Sequence, residues 1–157
     1  MKYLYRILFY PALLYWFIFR PAVNGVGVII EKDGKLLMVR HTYGKSGQWH
    51  FPGGAIKHGE TSDKAAAREI SEELGLNLKL TRLGKVRVIH NYKRVNGVCY
   101  YAKLKDDKIV KDKKEIAEVA LWPYDNLPGE IDPVVHKDME LYLKFIGKTL
   151  KAQSGIK

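Results

Sequence analysis

Three glutamates in one short stretch, Glu69, Glu72 and Glu73, are the residues best equipped for chemistry. On a helix, at about 100° per residue, Glu72 and Glu73 follow Glu69 by one turn and share its face. Like charges at that spacing repel and weaken an isolated helix. A helix that stacks three carboxylates opposite its buried stripe therefore calls for a positive charge there. Oxygen ligands in this number suit Mg²⁺ or Mn²⁺. A plainer reading stands beside that one: a solvated acidic face paired with Lys64 and Arg68.

The elements that must position these acids can be read from the pattern. Thr61 to Leu74 is the strongest helix: Thr61 can cap it, Asp63 suits the first turn, and Ala66, Ile70 and Leu74 recur at i, i+4 and i+8. Gly75 ends it. Upstream, Ala22 to Ile30 and Leu36 to Arg40 read as two strands joined by an Asp33-Gly34 turn. Thr42 to Gln48 is a loop, and Trp49 to Gly54 (WHFPGG) a short extended piece. Downstream, Leu78 to Val95 and Val98 to Leu104 read as strands around an Asn96-Gly97 turn. Lys105 to Lys114 is a charged loop, Ile116 to Leu121 a strand, and Pro133 to Leu150 a second helix. Strands mixed with two helices predict an α/β (α+β) fold, a mixed sheet covered by helices.

Length and composition suit one globular domain. The chain has 157 residues, 46% hydrophobic and 28% charged, with a net charge of +10 that points to anionic partners. Its single cysteine, Cys99, excludes an internal disulfide and a thiolate metal site, and fits a reducing, cytoplasmic compartment. Residues 7–19, ILFYPALLYWFIF, carry no charge, and Lys2, Arg6 and Arg20 flank them. Thirteen residues are short for a span that needs about 20. Residues 1–21 thus read as an apolar segment suited to a membrane interface or to packing on protein, including a second copy in a homodimer. Residues 22–150 form the domain and 151–157 a tail.

The surroundings of the acids add a resemblance. From Gly54 the chain has five residues, Glu60, seven residues, then Arg68-Glu69-Ile70-Ser71-Glu72-Glu73-Leu74-Gly75-Leu76. This resembles the Nudix box, G-x5-E-x7-R-E-U-x-E-E-x-G-U, at every specified position. The lead-in WHFPGG and the hairpin before it also look like that family. The resemblance covers roughly residues 22 to 127. It implies a Nudix-type α/β/α sandwich and a Mg²⁺- or Mn²⁺-dependent hydrolase that cuts a pyrophosphate bond in a nucleotide derivative.

It also implies roles for residues. Glu69, Glu72 and Glu73 would ligate the metal, and a carbonyl of the Gly53-Gly54 bend, that of Gly53, would face it. Glu69 is the candidate general base, with Glu72 beside it as catalytic; Glu115 and Glu118 are alternatives from outside the box. Arg68 would pair with a neighbouring glutamate, and Glu60 would brace the loop or reach a further ion through water. Arg40, Trp49 and Tyr92 are candidate substrate contacts, although core packing is the commoner fate of the two aromatic rings. The stretch 79–114, with twelve Lys or Arg against three Asp, is expected to rim the pocket. The SQPWPFPxS array of NADH-cleaving members is absent. Alternative readings are a silent nucleotide sensor, an RNA 5′-end pyrophosphohydrolase, and a phosphohydrolase at a membrane surface.

Overall fold

A computed structural model describes residues 22–42, 47–90, 93–105 and 108–147. The apolar segment 1–21, Tyr92 and the tail 151–157 lie outside the described residues. Six strands and two helices follow in order: β1 (Ala22–Lys32), β2 (Lys35–His41), β3 (Gly53–Ala55), α1 (Ser62–Leu74), β4 (Thr81–His90), β5 (Lys93–Lys103), β6 (Ile116–Pro123) and α2 (Pro133–Phe145). The sheet runs β4-β5-β1-β2-β6, with β3 pairing β1 off this path. Only β1 and β5 pair in parallel.

Alternation along the strands sorts side chains to two faces. Val26, Val28 and Ile30 of β1, Leu37 and Val39 of β2, and Tyr100 and Ala102 of β5 pack under α1 against Ala65, Ala66, Ile70 and Leu74. Ile29, Leu36, Met38, Val86 and Cys99 point the other way, to Val135, Met139 and Tyr142 of α2. The unbroken apolar runs in β1 and β2 follow from this, because both faces of those strands are covered. The result is an α/β/α sandwich. No helix among the described residues is long and apolar enough to cross a membrane.

Local chemistry sets the ends of the catalytic-helix candidate. The Thr61 side chain accepts a hydrogen bond from the Lys64 amide, and Gly75, at φ +66°, closes the helix with its amide donating to Ser71. The segment read as a charged loop docks there. The amides of Val110 and Asp112 donate to the carbonyls of Leu74 and Glu73 at 2.9 Å each, satisfying groups a helix end leaves open.

Two expectations are corrected. Asn96-Gly97 is not a turn: β5 runs through it, paired with β4 at Asn96↔Arg87 and with β1 at Asn96↔Asn24. The hairpin closes instead between His90 and Lys93. A residue with ladder partners on both sides gains more than an isolated turn offers. The second helix ends at Phe145, not Leu150, with Gly147 at φ +74° just past it. The Asp33-Gly34 turn is as expected: both residues have positive φ, and Lys32 pairs with Lys35 across it.

Two buried acids tie α2 to the sheet. Glu31 of β1 accepts hydrogen bonds from the hydroxyls of Tyr101 and Tyr142 at 3.0 Å each. Asp138 of α2 is 4% exposed and lies against Gly27, where a Cβ would come within 3.2 Å of its Oδ2. Burial raises the Asp138 carboxyl to about 7, although the Cys99 thiol bonded to it pulls the other way. A folded-state value above the unfolded one means stability that is present at acid pH and lost as pH rises toward 7. Asp138→Asn is expected to melt above wild type at pH 8 and to lose that advantage near pH 4; a pH series of thermal unfolding curves checks it.

Candidate active site

Helix α1 carries its acids over β3, and two glycines make the approach possible. Gly53 has φ +149°, and a Cβ there would sit 2.1 Å from the Val26 carbonyl oxygen. A Cβ on Gly54 would sit 2.6 Å from Oε1 of Glu69. Only glycine lets this strand lie flat between β1 and the helix. The lead-in is pinned on its other side as well. The Val28 amide donates to Pro52, the Trp49 amide to Glu130, and the Asp132 amide to Trp49.

Arg68 is the hub of the acidic face. Its Nε and Nη2 donate to the two oxygens of Glu60 at 2.9 Å each. Nη1 donates to Glu69 at 2.7 Å and Glu72 at 3.0 Å, and Nη2 also reaches the Ala55 carbonyl at 3.0 Å. Glu60 also accepts from the Lys57 amide at 2.9 Å, which braces the loop between β3 and α1. The Arg68 guanidinium holds the Glu60 carboxyl down at about 2, and Glu60 in turn raises Arg68.

Glu73 departs from the solvated stack expected of it. It is 2% exposed. Its Oε2 accepts from the Gly53 amide at 3.0 Å, and its Oε1 lies 2.9 Å from Nε2 of His41. Burial pushes its carboxyl above the ordinary range, while His41 and the Gly53 amide act against that shift. These two donors are what make a carboxylate tenable there.

His41 was not among the residues singled out by sequence. Strand alternation offered a signal, because Leu37, Val39 and His41 share the α1 face of β2. His50, 4.2 Å from His41 ring to ring, was missed too. Burial, with His41 second, lowers His50 to about 4, so its ring is neutral near pH 7 and its Nδ1 donates to the Phe51 carbonyl.

The expected substrate contacts are placed differently from one another. The Arg40 guanidinium stands over the Trp49 ring, 5.3 Å from its centroid, and pairs with Glu118 at 3.1 Å. Trp49 is only 8% exposed and meets Trp122 edge-on, so its surface is largely spent on packing rather than left for a base. Tyr92 is outside the described residues. The Glu118 carboxylate is engaged by Arg40, and the Glu115 carbonyl accepts from the Thr42 amide, which joins the end of β2 to the start of β6.

Among the described residues, no group of three His, Cys, Asp or Glu side chains is set to hold a metal ion. Arg68 stands among the candidates instead. The donor chemistry nevertheless fits a hard cation: one oxygen each of Glu69 and Glu72 converges on a single positively charged nitrogen.

A family model described as NUDIX domain matches residues 19–145. Among curated relatives, the NAD-capped RNA hydrolase NudC of Klebsiella pneumoniae (strain 342) is 33% identical over 101 residues, 64% of this chain and 39% of that protein. A MutT-like protein of Streptomyces ambofaciens is 36% identical over 62 residues, 40% of this chain and 39% of that one. The chain thus spans 39% of the length of the curated relatives it matches. Among solved structures, a MutT NUDIX hydrolase from Burkholderia pseudomallei is 26% identical, with TM-score 0.70, covering 76% of this chain and 97% of that one. A MutT protein from Methanosarcina mazei Go1, 20% identical with TM-score 0.71 over 83% of this chain and 98% of its own, shares the fold.

The glycine geometry makes a prediction. Gly53→Ala is expected to cost about 2–4 kcal/mol of stability, since it combines a strained φ with a clash against backbone. Urea unfolding checks it; a loss under about 0.5 kcal/mol would mean that β3 shifts freely.

Proposed function

The chain belongs to the NUDIX family, and from that premise we propose that it hydrolyses a pyrophosphate bond in a nucleoside diphosphate linked to another moiety. The observation that carries this reading is the convergence of Glu69 and Glu72 on one cationic nitrogen, beside a glycine bend and in front of a fixed Glu73. Glu69 and Glu72, with Glu73 and the Gly53 carbonyl, would hold Mg²⁺ or Mn²⁺, and the Nη1 of Arg68 would give way to it. When bound, such an ion neutralises diphosphate oxygens and makes a water more acidic.

The protein's own residues do the rest. Glu69 takes the proton from the attacking water, with Glu72 one turn on as the second catalytic carboxylate. Glu60 keeps Arg68 in place, so the rotamers of Glu69 and Glu72 are set before substrate arrives. His41 and the Gly53 amide hold Glu73 against β3. Arg40, with a side chain 33% exposed, offers its guanidinium to a phosphate in exchange for Glu118.

The name of the Klebsiella relative does not carry its substrate here. The shared part is 39% of that protein, and this sequence lacks the array that marks NADH-cleaving members. The substrate class stays at nucleotide diphosphate derivatives.

With Mg²⁺ or Mn²⁺, the purified protein is expected to release phosphate or a nucleoside monophosphate from at least one member of a panel of such compounds. Silence across the panel with several metals would leave a nucleotide-sensing module. Glu72→Gln should lower turnover on the order of 100-fold or more. Because the Glu72 side chain is 52% exposed, metal-free melting should stay within the small range of a surface ion pair. A collapse in melting would make the acid structural.

A further inference from the structure

One end of the sheet projects past the helices and carries charge that the hydrolytic site does not use. Tyr100 hydrogen-bonds Ser62, the first residue of α1, at 2.7 Å. On β5, the residues ahead of Val98 therefore run out beyond that helix. Val98 packs on the core under α1 and pairs with Lys85. Two-residue alternation then places Lys85, Arg87 and Ile89 of β4, and Arg94 and Asn96 of β5, on that same face. All five are exposed, and Ile89 is 68% exposed although it lies directly across from Arg94. The neighbouring strand start completes the end: Ala22 of β1 pairs with Arg94, and Val23 is 37% exposed.

The chain enters β1 at this same end. Immediately before it in sequence stand Arg20-Pro21 and the uncharged run of residues 7–19, with eight aromatic residues among the first twenty. Exposed arginines, an aliphatic side chain between them and an apolar aromatic run are thus brought to one edge. We propose that this sheet end, together with residues 7–19, docks on the surface of an anionic lipid bilayer. Basic side chains draw the protein to acidic headgroups, while Ile89 and the aromatic run enter the interfacial layer. Two modest signals combine into stable attachment where either alone is marginal. A nucleic-acid strand fits the face less well. Binding of single strands relies on rings for base stacking, and among the described residues this end presents an exposed isoleucine and valine instead.

The test is sedimentation of the full chain with vesicles of phosphatidylcholine alone, or with roughly one third phosphatidylglycerol, in about 0.1 M salt. Strong partitioning to the anionic vesicles is expected, falling as salt rises to about 0.5 M. The R87A/R94A variant should partition about 25-fold more weakly, about fivefold per arginine. Removal of residues 1–20 should weaken binding independently. Equal partitioning to neutral and anionic vesicles, or no change in R87A/R94A, would overturn the proposal. So would a double variant that loses affinity for a single-stranded RNA while keeping vesicle binding. The readout is partitioning and not turnover, so it stands or falls apart from the hydrolase reading.

Discussion

The acidic face of α1 depends on one guanidinium. Without Arg68, Glu60, Glu69 and Glu72 would crowd negative charge at the mouth of the loop after β3. With it, Glu60 is held by two parallel hydrogen bonds, and the two helix acids share a single nitrogen. The same side chain reaches the Ala55 carbonyl, so it also fastens β3 to the helix. A planar five-donor group can do this, and a lysine could not. The arrangement poises the acids: a cation already stands between them, and a divalent ion would exchange one positive partner for a stronger one.

Behind that face lies a second, drier contact. Glu73 is the buried member of the set, and its two oxygens are divided between the Gly53 amide and His41. The last turn of α1 is therefore stitched to β3 and to the end of β2, while its terminal carbonyls receive the amides of Val110 and Asp112. Four separate stretches of chain meet at one helix end. The glycines of β3 make the meeting possible, since any side chain there would strike the β1 backbone or the Glu69 carboxylate.

Much of this was legible in the sequence because it is local. The Asp33-Gly34 hairpin, the Thr61 cap, the Gly75 stop and the buried stripe of α1 each follow from a few neighbouring residues, and the structure has them as read. Where distant pairing decides, the sequence misled or was silent. Asn96-Gly97 has the local chemistry of a turn, yet β4 and β1 hold it as strand from both sides. His41 looks like one more strand residue until β2 is laid beside α1. Trp49 could have been a stacking platform or a core residue; the Arg40 guanidinium above it and Trp122 at its edge set it in the core.

The parallel pairing of β1 with β5 has a consequence for assembly. Ala22 meets Arg94 and Glu31 meets Lys103, partners 72 residues apart, and everything that carries the acids lies in the excursion between them. The first strand to leave a ribosome must wait for the fifth before its central ladder is complete. Such long-range closure is slow compared with hairpin or helix formation. In the interval the apolar stretch from Val26 to Ile30 lacks that neighbour, which makes the nascent chain a natural client for a holding chaperone.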